Sequence, residues 1–457
     1  MKVVKFGGSS LADGPHFEKI IDIIQADPAR QIIVTSAPGK RSASDNKVTD
    51  LLITYAKMVL QKQDVAEIRQ QIWWRYQAIA DYFSVGAEEL APLKQVLWQL
   101  AENEYPDAEY LLAAFKAHGE ILNAKLLSLV LQKLGVKAHF ASCGELGIRV
   151  TPVPSDAAVL DDTYRNLANY QLPEGCLVVP GFYGLTAAGQ IATFSRGGSD
   201  ITGAILARGF KADVYENFTD VDAIYAVDPR IVAHPQPIAK MTYREMRELS
   251  YAGFSVFHDE AILPAIAANI PINVKNTNNP QLAGTMIVSA KGFHADHLIT
   301  GVASDNHFSA LYIHKYLLNK EVGFTLKLLE IFYKYHISYE HMPSGIDDLT
   351  IIFDKRQFTP EIKQKMCQDI REALQPDDLA WIDDYAIIMV VGEGMRNKVG
   401  VTKRIIDALA QKNIGLHMIN QGASRISIML GMKRADAPEA VKQIYQNFFK
   451  RRETVNG

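Results

Sequence analysis

The sequence predicts an α/β protein: a mainly parallel central sheet with helices on both faces over residues 1–290, followed by two ferredoxin-like α+β units. Three observations carry this expectation. Short β-branched runs alternate with helical patterns through the first part. Each run ends at once in a small or polar cluster. The last third contains a gapless internal repeat.

The expected strands are Val3–Phe6, Ile32–Thr35, Leu177–Val179, Val214–Glu216 and Ile272–Val274. They run into Gly7-Gly8-Ser9-Ser10, Ser36-Ala37-Pro38-Gly39-Lys40, Gly181-Phe182-Tyr183-Gly184, Asn217-Phe218-Thr219-Asp220 and Asn276-Thr277-Asn278. Ligands of open α/β sheets sit beyond the carboxyl ends of the strands, so these clusters suggest one shared site. Between residues 50 and 135 the pattern is helical, and Trp73-Trp74-Arg75-Tyr76 reads as core packing rather than a ligand cage.

Residues 322–353 align onto 399–430 at a constant offset of 77, with Val322/Val399, Gly323/Gly400, Ile337/Ile414 and Gly345/Gly422 identical. Each copy reads as a glycine turn, an amphipathic helix, a strand, a second glycine turn and another strand. An apolar run precedes each, giving two β-α-β-β cores. The expected limits are 1–290, 299–380 and 381–457, with interleaving of the last two as the alternative arrangement.

Composition narrows the classes. With 457 residues, 48% hydrophobic, 22% charged and a net charge of -3, the chain lacks the basic surplus of a nucleic-acid binder. No apolar run is long enough to span a bilayer, and no signal peptide is expected. Three cysteines without metal-type spacing fit a reduced, cytoplasmic setting.

Three motifs carry chemistry. In Lys5-Phe6-Gly7-Gly8-Ser9-Ser10, glycines without Cβ let backbone N–H groups approach phosphate oxygens, and Lys5 offers a point charge. The stretch is neither a Walker loop nor a dinucleotide fingerprint, and an ordinary strand–turn corner remains an alternative. In "TFSRGGSDITGAILARGF", Arg196 before two glycines makes an anion site, while Ser199 or Asp200 is expected as helix N-cap. In "ENFTDVDAIYAVDPR", carboxylates can serve ribose or magnesium-bound water, or simple turn chemistry.

Taken in order, "KFGGSS", "VTSAPGK", "KVTDLL", "HGEILNAKLL", "FSRGGSDITGAILA", "FTDVDAIYAVDPR", "IPINVKNTNNP" and "MINQGASRISIML" closely resemble the aspartate kinases of the amino-acid kinase family, over nearly the whole chain. The tandem repeat resembles that family's paired ACT domains. The resemblance implies transfer of the γ-phosphoryl group of ATP, with Mg²⁺ bound through the nucleotide, to the β-carboxylate of L-aspartate. The product is 4-phospho-L-aspartate, the entry to lysine, threonine and methionine synthesis. By the same resemblance, Lys5, Gly7, Gly8 and Ser9 hold phosphates, with Ser36 nearby. Thr49, Glu120 and Arg196 grip aspartate, Phe182 and Ser199 line its pocket, and Asp200 orients the reacting groups. Thr219, Asp220, Tyr225 and Arg230 bind nucleotide, with Lys275, Asn276 and Thr277 closing over it. Ser255 stands where many relatives carry a nucleotide-contacting lysine, and Lys275 is the expected substitute.

Effector binding is expected where ACT units pair, usually building a homodimer. Asn319, Gly323, Phe324, Thr325, Glu340, Gly345, Ile346 and Asp347 are the candidates, with Glu340 and Asp347 facing a cationic effector such as lysine; threonine is the other effector considered. The second copy carries uncharged Asn420-Gln421 at the corresponding turn, so an asymmetric pair is expected. Competing readings are a glutamate or acetylglutamate kinase, a dehydrogenase with ACT units, and an inactive amino-acid sensor. A second catalytic domain is not expected.

Overall fold

The structure, a computed structural model, describes residues 1–195, 197–254 and 259–450. The chain divides into two compact units: Met1–Ile224, Pro237–Met246 and Ser255–Phe293 form the first, and Tyr225–Gln236, Arg247–Phe254 and His294–Gly457 the second.

Among the described residues ten strands precede residue 290: β1 (Lys2–Phe6), β2 (Arg30–Thr35), β3 (Ala138–Phe140), β4 (Cys176–Pro180), β5 (Tyr183–Leu185), β6 (Ile191–Thr193), β7 (Val214–Thr219), β8 (Lys240–Thr242), β9 (Ile272–Asn276) and β10 (Thr285–Val288). Eight of them make one sheet in the order β3-β4-β2-β1-β7-β9-β10-β8, and β5 pairs with β6. The six strands from β3 to β9 are mutually parallel, and β10 runs antiparallel to β9. The helices are α1 (Gly14–Gln25), α2 (Val48–Leu60), α3 (Ala66–Tyr82), α4 (Ala87–Gln99), α5 (Ala108–Lys133), α6 (Asp162–Asn169), α7 (Gly198–Gly209), α8 (Tyr243–Tyr251) and α9 (Leu263–Ala267).

The five expected strands all form, each one to three residues longer than expected, and the helical stretch becomes α2 to α5. Parallel strands covered on both faces need continuous apolar runs, and Val3, Val4, Phe6, Ile32, Ile33 and Val34 are all fully buried. The Asp107 carboxylate caps α5 through the Tyr110 amide, and apolar side chains then bury this long helix on most of its circumference. Trp73 is buried edge-on against Trp98, as expected of core packing, whereas Trp74 is exposed.

The second unit contains β11 (Gly301–His314), α10 (Phe324–Lys334), β12 (Asp348–Asp354), α11 (Pro360–Leu374), β13 (Asp378–Val391), α12 (Val401–Ala410), β14 (Met418–Asn420), β15 (Ser427–Met432) and α13 (Ala437–Tyr445). Its sheet runs β12-β11-β13-β15-β14. The repeat is visible in the backbone itself. Gly323 (φ 82°) and Gly400 (φ 87°) open α10 and α12 from the left-handed region, and His336 and Asn413, again 77 apart, both sit at φ 55° after those helices.

Strand register pairs a segment ahead of the first repeat with one that follows it. Residues Gly301–Asp305 pair with Ile387–Val391, whose other neighbour is β15 of the second repeat. After an irregularity between Asp305 and Phe308, the rest of β11 pairs with β12 and with the first half of β13. The first repeat has its own core of Leu311, Phe324, Leu328, Phe332, Ile351, Phe353 and Ile370.

Candidate active site

Parallel neighbours in register share a sheet face. Lys5 lies opposite Asn217, and Asn217 opposite Val274, so Lys5 and Asn217 project to the same side. On that side stands the first turn of α7. The Lys5 ammonium is 2.7 Å from Asp200 Oδ1. Asn217 Nδ2 donates to the same oxygen at 2.6 Å. Lys5 is 8% exposed, so a bound polyanion meets a cation already shielded from bulk water.

Asp200 is not the helix cap that the sequence suggested. Gly197, in the left-handed region at φ 73°, takes that position, and α7 begins at Gly198, leaving Asp200 inside the first turn with its carboxylate free for Lys5. Ser199 is buried beside it, its side chain filling the space a Cβ on Gly181 would need. Phe182 follows at φ 82°, held by its amide donating to Thr202 Oγ1 at 2.9 Å. Arg196 lies outside the described residues, as does Ser255.

The two glycine-bearing loops meet directly. Gly39 N–H donates to Gly8 O at 2.8 Å, and a Cβ on Gly39 would stand 2.5 Å from that oxygen. Neither loop tolerates a side chain at the crossing, which is why both sequences carry glycine there. Gly7 N–H is tied to Phe218 O, Ser9 is exposed, and Ser10 Oγ lies 2.7 Å from Thr277 Oγ1. That bond joins the first loop to the end of β9.

Glu120 is buried on α5, beside the loop that holds Ser36 and Ala37. Burial raises its pKa from 4.5 to about 8, only partly offset by the Ala37 amide. Its Oε2, and Oδ1 of Asn123 one turn on, are buried acceptors with no partner among the described residues. Asn123 Nδ2 donates to Ser36 O at 2.7 Å. Two unsatisfied acceptors on one helix face form a receptor for a cation with several N–H donors. His118, in the same motif, is half-buried and bonds Ala114 O, with its pKa lowered to about 4 by desolvation. Thr49 is half-buried in the first turn of α2.

At the ends of β7 and β9, Thr219 O accepts from Thr277 N–H. The Asp222 carboxylate accepts from Asn276 and Asn279, at 2.6 and 2.8 Å. Lys275 is a correction. It lies opposite Phe218, hence on the face of Phe6 and away from Lys5, and its ammonium donates to Leu282 O at 2.8 Å. Strand alternation separates it from the Lys5–Asp200 pair. Tyr225 and Arg230 belong to the second unit, where the Arg230 guanidinium is held by Asp228.

Among the effector candidates, Asn319 N–H donates to Ile346 O, and Leu317 N–H to Asp347 Oδ1 at 2.8 Å, so these segments are adjacent. Gly323 and Thr325 lie at the start of α10, but Phe324 is a core residue. Glu340 does not join Asp347. Its N–H donates to Ile352 O, further along β12, and its Oε2 accepts from Tyr251 OH at 2.6 Å. Sequence reasoning gave no role to Asn123, a single amide inside a helical run, and named Asn217 and Asp222 only as members of strand-end clusters.

Comparison with known proteins fits this arrangement. The model of the "Amino acid kinase family" matches residues 1–276, and that of the "ACT domain" matches residues 388–448. Fold and site therefore define an amino acid kinase with a regulatory ACT portion. Aspartokinase 3 of Bacillus subtilis is 46% identical over 449 residues, covering 98% of this chain and 99% of that protein. The crystal structure of Clostridium acetobutylicum aspartate kinase superposes with a TM-score of 0.90 at 37% identity, covering 98% and 100% of the two chains. Escherichia coli aspartokinase III, solved in complex with lysine and aspartate, gives a TM-score of 0.77 at 25% identity and covers 98% and 99%. The chain belongs to the aspartokinase family. It is an ATP-dependent kinase acting on aspartate, with ACT domains through which amino acids regulate it.

Proposed function

We propose that Lys5 and Asp200 are the catalytic pair for transfer of the γ-phosphoryl group of ATP to the β-carboxylate of L-aspartate. The observation that carries this is the 2.7 Å Lys5–Asp200 contact on the sheet face beside the crossed glycine loops. Donor and acceptor are both anionic, so the barrier is largely like-charge repulsion, and a positioned, desolvated cation lowers it without a covalent intermediate. Asp200 and Asn217 fix the Lys5 ammonium in place before substrates arrive. Gly8, Ser9 and Ser36 supply backbone and hydroxyl donors to the phosphates, and Gly7, its N–H tied to Phe218 O, shapes the turn that lets them approach. Thr219, Asp220, Asn276 and Thr277 form the nucleotide side within the first unit; Lys275, turned to the opposite face, is not assigned there.

The acceptor sits against α5. Glu120 Oε2 and Asn123 Oδ1 take its ammonium, which removes two buried unsatisfied acceptors at once. Thr49, Phe182 and Ser199 line the same pocket, and Arg196 pairs with the α-carboxylate. No cluster of three or more acidic, histidine or cysteine side chains able to hold a metal occurs among the described residues. Both contacts to Asp200 fall on Oδ1, so Oδ2 suits a magnesium ion carried mainly by the nucleotide. When bound, Mg²⁺ neutralises charge on the β- and γ-phosphate oxygens.

Lysine is the proposed effector, taken near Asn319, Ile346 and Asp347 of the first repeat, in a homodimer formed through the ACT domains. The lysine complex of the E. coli relative supports the choice of lysine. A cytoplasmic location is proposed; no helix among the described residues is long and apolar enough to cross a membrane. The first ACT unit is taken as an insertion in the second.

A hydroxamate-trapping assay with ATP and Mg²⁺ tests the reaction. Product is expected with aspartate and not glutamate, and Lys5→Met should lower kcat by about three orders of magnitude. Full activity in that variant would overturn the assignment.

A further inference from the structure

Arg75 is a buried cation, 4% exposed, that the proposed reaction does not use. It lies on α3, which is already anchored by apolar packing through Ile72, Trp73, Tyr76 and Ile79. Its guanidinium is spent on one loop. Nη2 donates to Gly39 O at 2.5 Å, and Nη1 donates to Asn46 O at 2.8 Å. Nη1 also stands 3.2 Å from Asp45 Oδ2. Asp45 is fixed from the other side by Arg41, whose amide and Nε reach it at 3.0 and 2.9 Å. One planar fork therefore ties both ends of the Gly39–Asn46 loop together.

What lies just beyond those ends gives the clamp its meaning. Before it, Gly39 N–H is bonded to Gly8 O, and Pro38 O accepts from Val48 N–H at 3.2 Å. After it, α2 begins and presents Thr49. The loop thus spans the distance between the phosphate-side glycine and the acceptor-side hydroxyl. A lysine at 75 could carry the charge but could not reach two divergent carbonyls at once.

We infer that Arg75 is a positioning residue for phosphoryl transfer: it holds the Gly39–Asn46 loop so that Gly8 and Thr49 keep a fixed separation. The inference rests on the assignment of Gly8 to the donor and Thr49 to the acceptor. It concerns geometry between substrates, which a brace of the fold alone would not control.

The test uses the full-length enzyme in two variants, R75K and D45N, the second removing the loop's own carboxylate while leaving the buried arginine in place. Amide hydrogen exchange over residues 39–47, melting temperature, and steady-state kinetics with each substrate varied are read together. Faster exchange confined to the loop is expected in both variants. In R75K, kcat/KM for aspartate should fall about 10- to 100-fold through both lower kcat and higher KM, with a smaller fall in D45N. Kinetics within about two-fold of the parent in both variants overturn the inference, as does a loss that merely follows the folded fraction. K5M run in parallel separates the two claims. A fall in K5M with R75K and D45N unchanged removes only the role of Arg75, whereas an unchanged K5M removes the donor assignment beneath it.

Discussion

Glu120 is the residue whose physics is most exposed to measurement. Burial holds its carboxyl near a pKa of about 8 by disfavouring the charge. A bound ammonium needs that charge, so aspartate binding should release a proton near neutrality. The KM for aspartate is therefore expected to fall as pH rises from about 6 to about 8, and the slope should vanish in Glu120→Gln, which should also bind aspartate more weakly. Stability has a definite sign as well. The native state holds this proton more tightly than the unfolded chain, so Glu120 costs stability progressively between pH 4.5 and about 8. Melting temperatures across that range should converge for parent and Glu120→Gln at the acid end, and the variant should gain at the alkaline end. Glu120 was readable from "HGE" through its family resemblance. Its partner Asn123 was not, because an amide inside a helical run has no pattern to mark it. Lys275 was misjudged for a related reason: which way a strand residue points depends on register with its neighbours, and register is not written in the residue itself.

At the scale of elements, the crossing of the two glycine loops and the entries to α10 and α12 show two different uses of one residue type. At Gly39 the constraint is space. A methyl group would lie 2.5 Å from Gly8 O and 2.6 Å from Gly8 C, so Gly39→Ala must push the phosphate-side loop aside. Its KM for ATP is expected to rise by about ten-fold or more, with a smaller change in the KM for aspartate. At Gly323 the constraint is torsional. Nothing lies within 4 Å of the added carbon, but φ is 82°, so Gly323→Ala should cost about 1–2 kcal/mol in unfolding measurements and leave the kinetics without effector unchanged. A kinetic defect there would mean that α10 acts on catalysis without a ligand. The strands, the helical block and both repeat helices were legible because hydrophobic periodicity records them directly. The start of α7 was off by a few residues, since Ser199 and Asp200 are good caps in isolation and Gly197 wins only through a left-handed turn.

The whole molecule raises a question of how a duplicated sequence becomes two units. Consecutive repeats suggest consecutive domains, yet Gly301–Asp305 find their partner in Ile387–Val391, across the entire first repeat. The first repeat leaves and returns at one place: Phe308 lies opposite Tyr385 on adjacent antiparallel strands. Paired residues of such strands are only about 5 Å apart, a gap that a two-residue Asn-Gly turn closes. Replacing residues 309–384 with that turn should therefore remove the first repeat and leave the second folded, with β15 still paired to β13 and the Val302 and Val390 side chains still covered. Cutting the chain after residue 380, at the boundary the repeat alone would suggest, should do the opposite. It strips Gly301–Asp305 of its one neighbour in the sheet and exposes an apolar edge prone to association. Solubility, circular dichroism and cooperative melting of the two shortened proteins decide between the arrangements. A soluble, cooperatively folded 1–380 chain beside an aggregated loop-replaced chain would mean that the repeats fold in series. The reverse outcome would make the second repeat the host and the first its insert, and the shortened enzyme should then lose its response to lysine while keeping its catalytic unit intact.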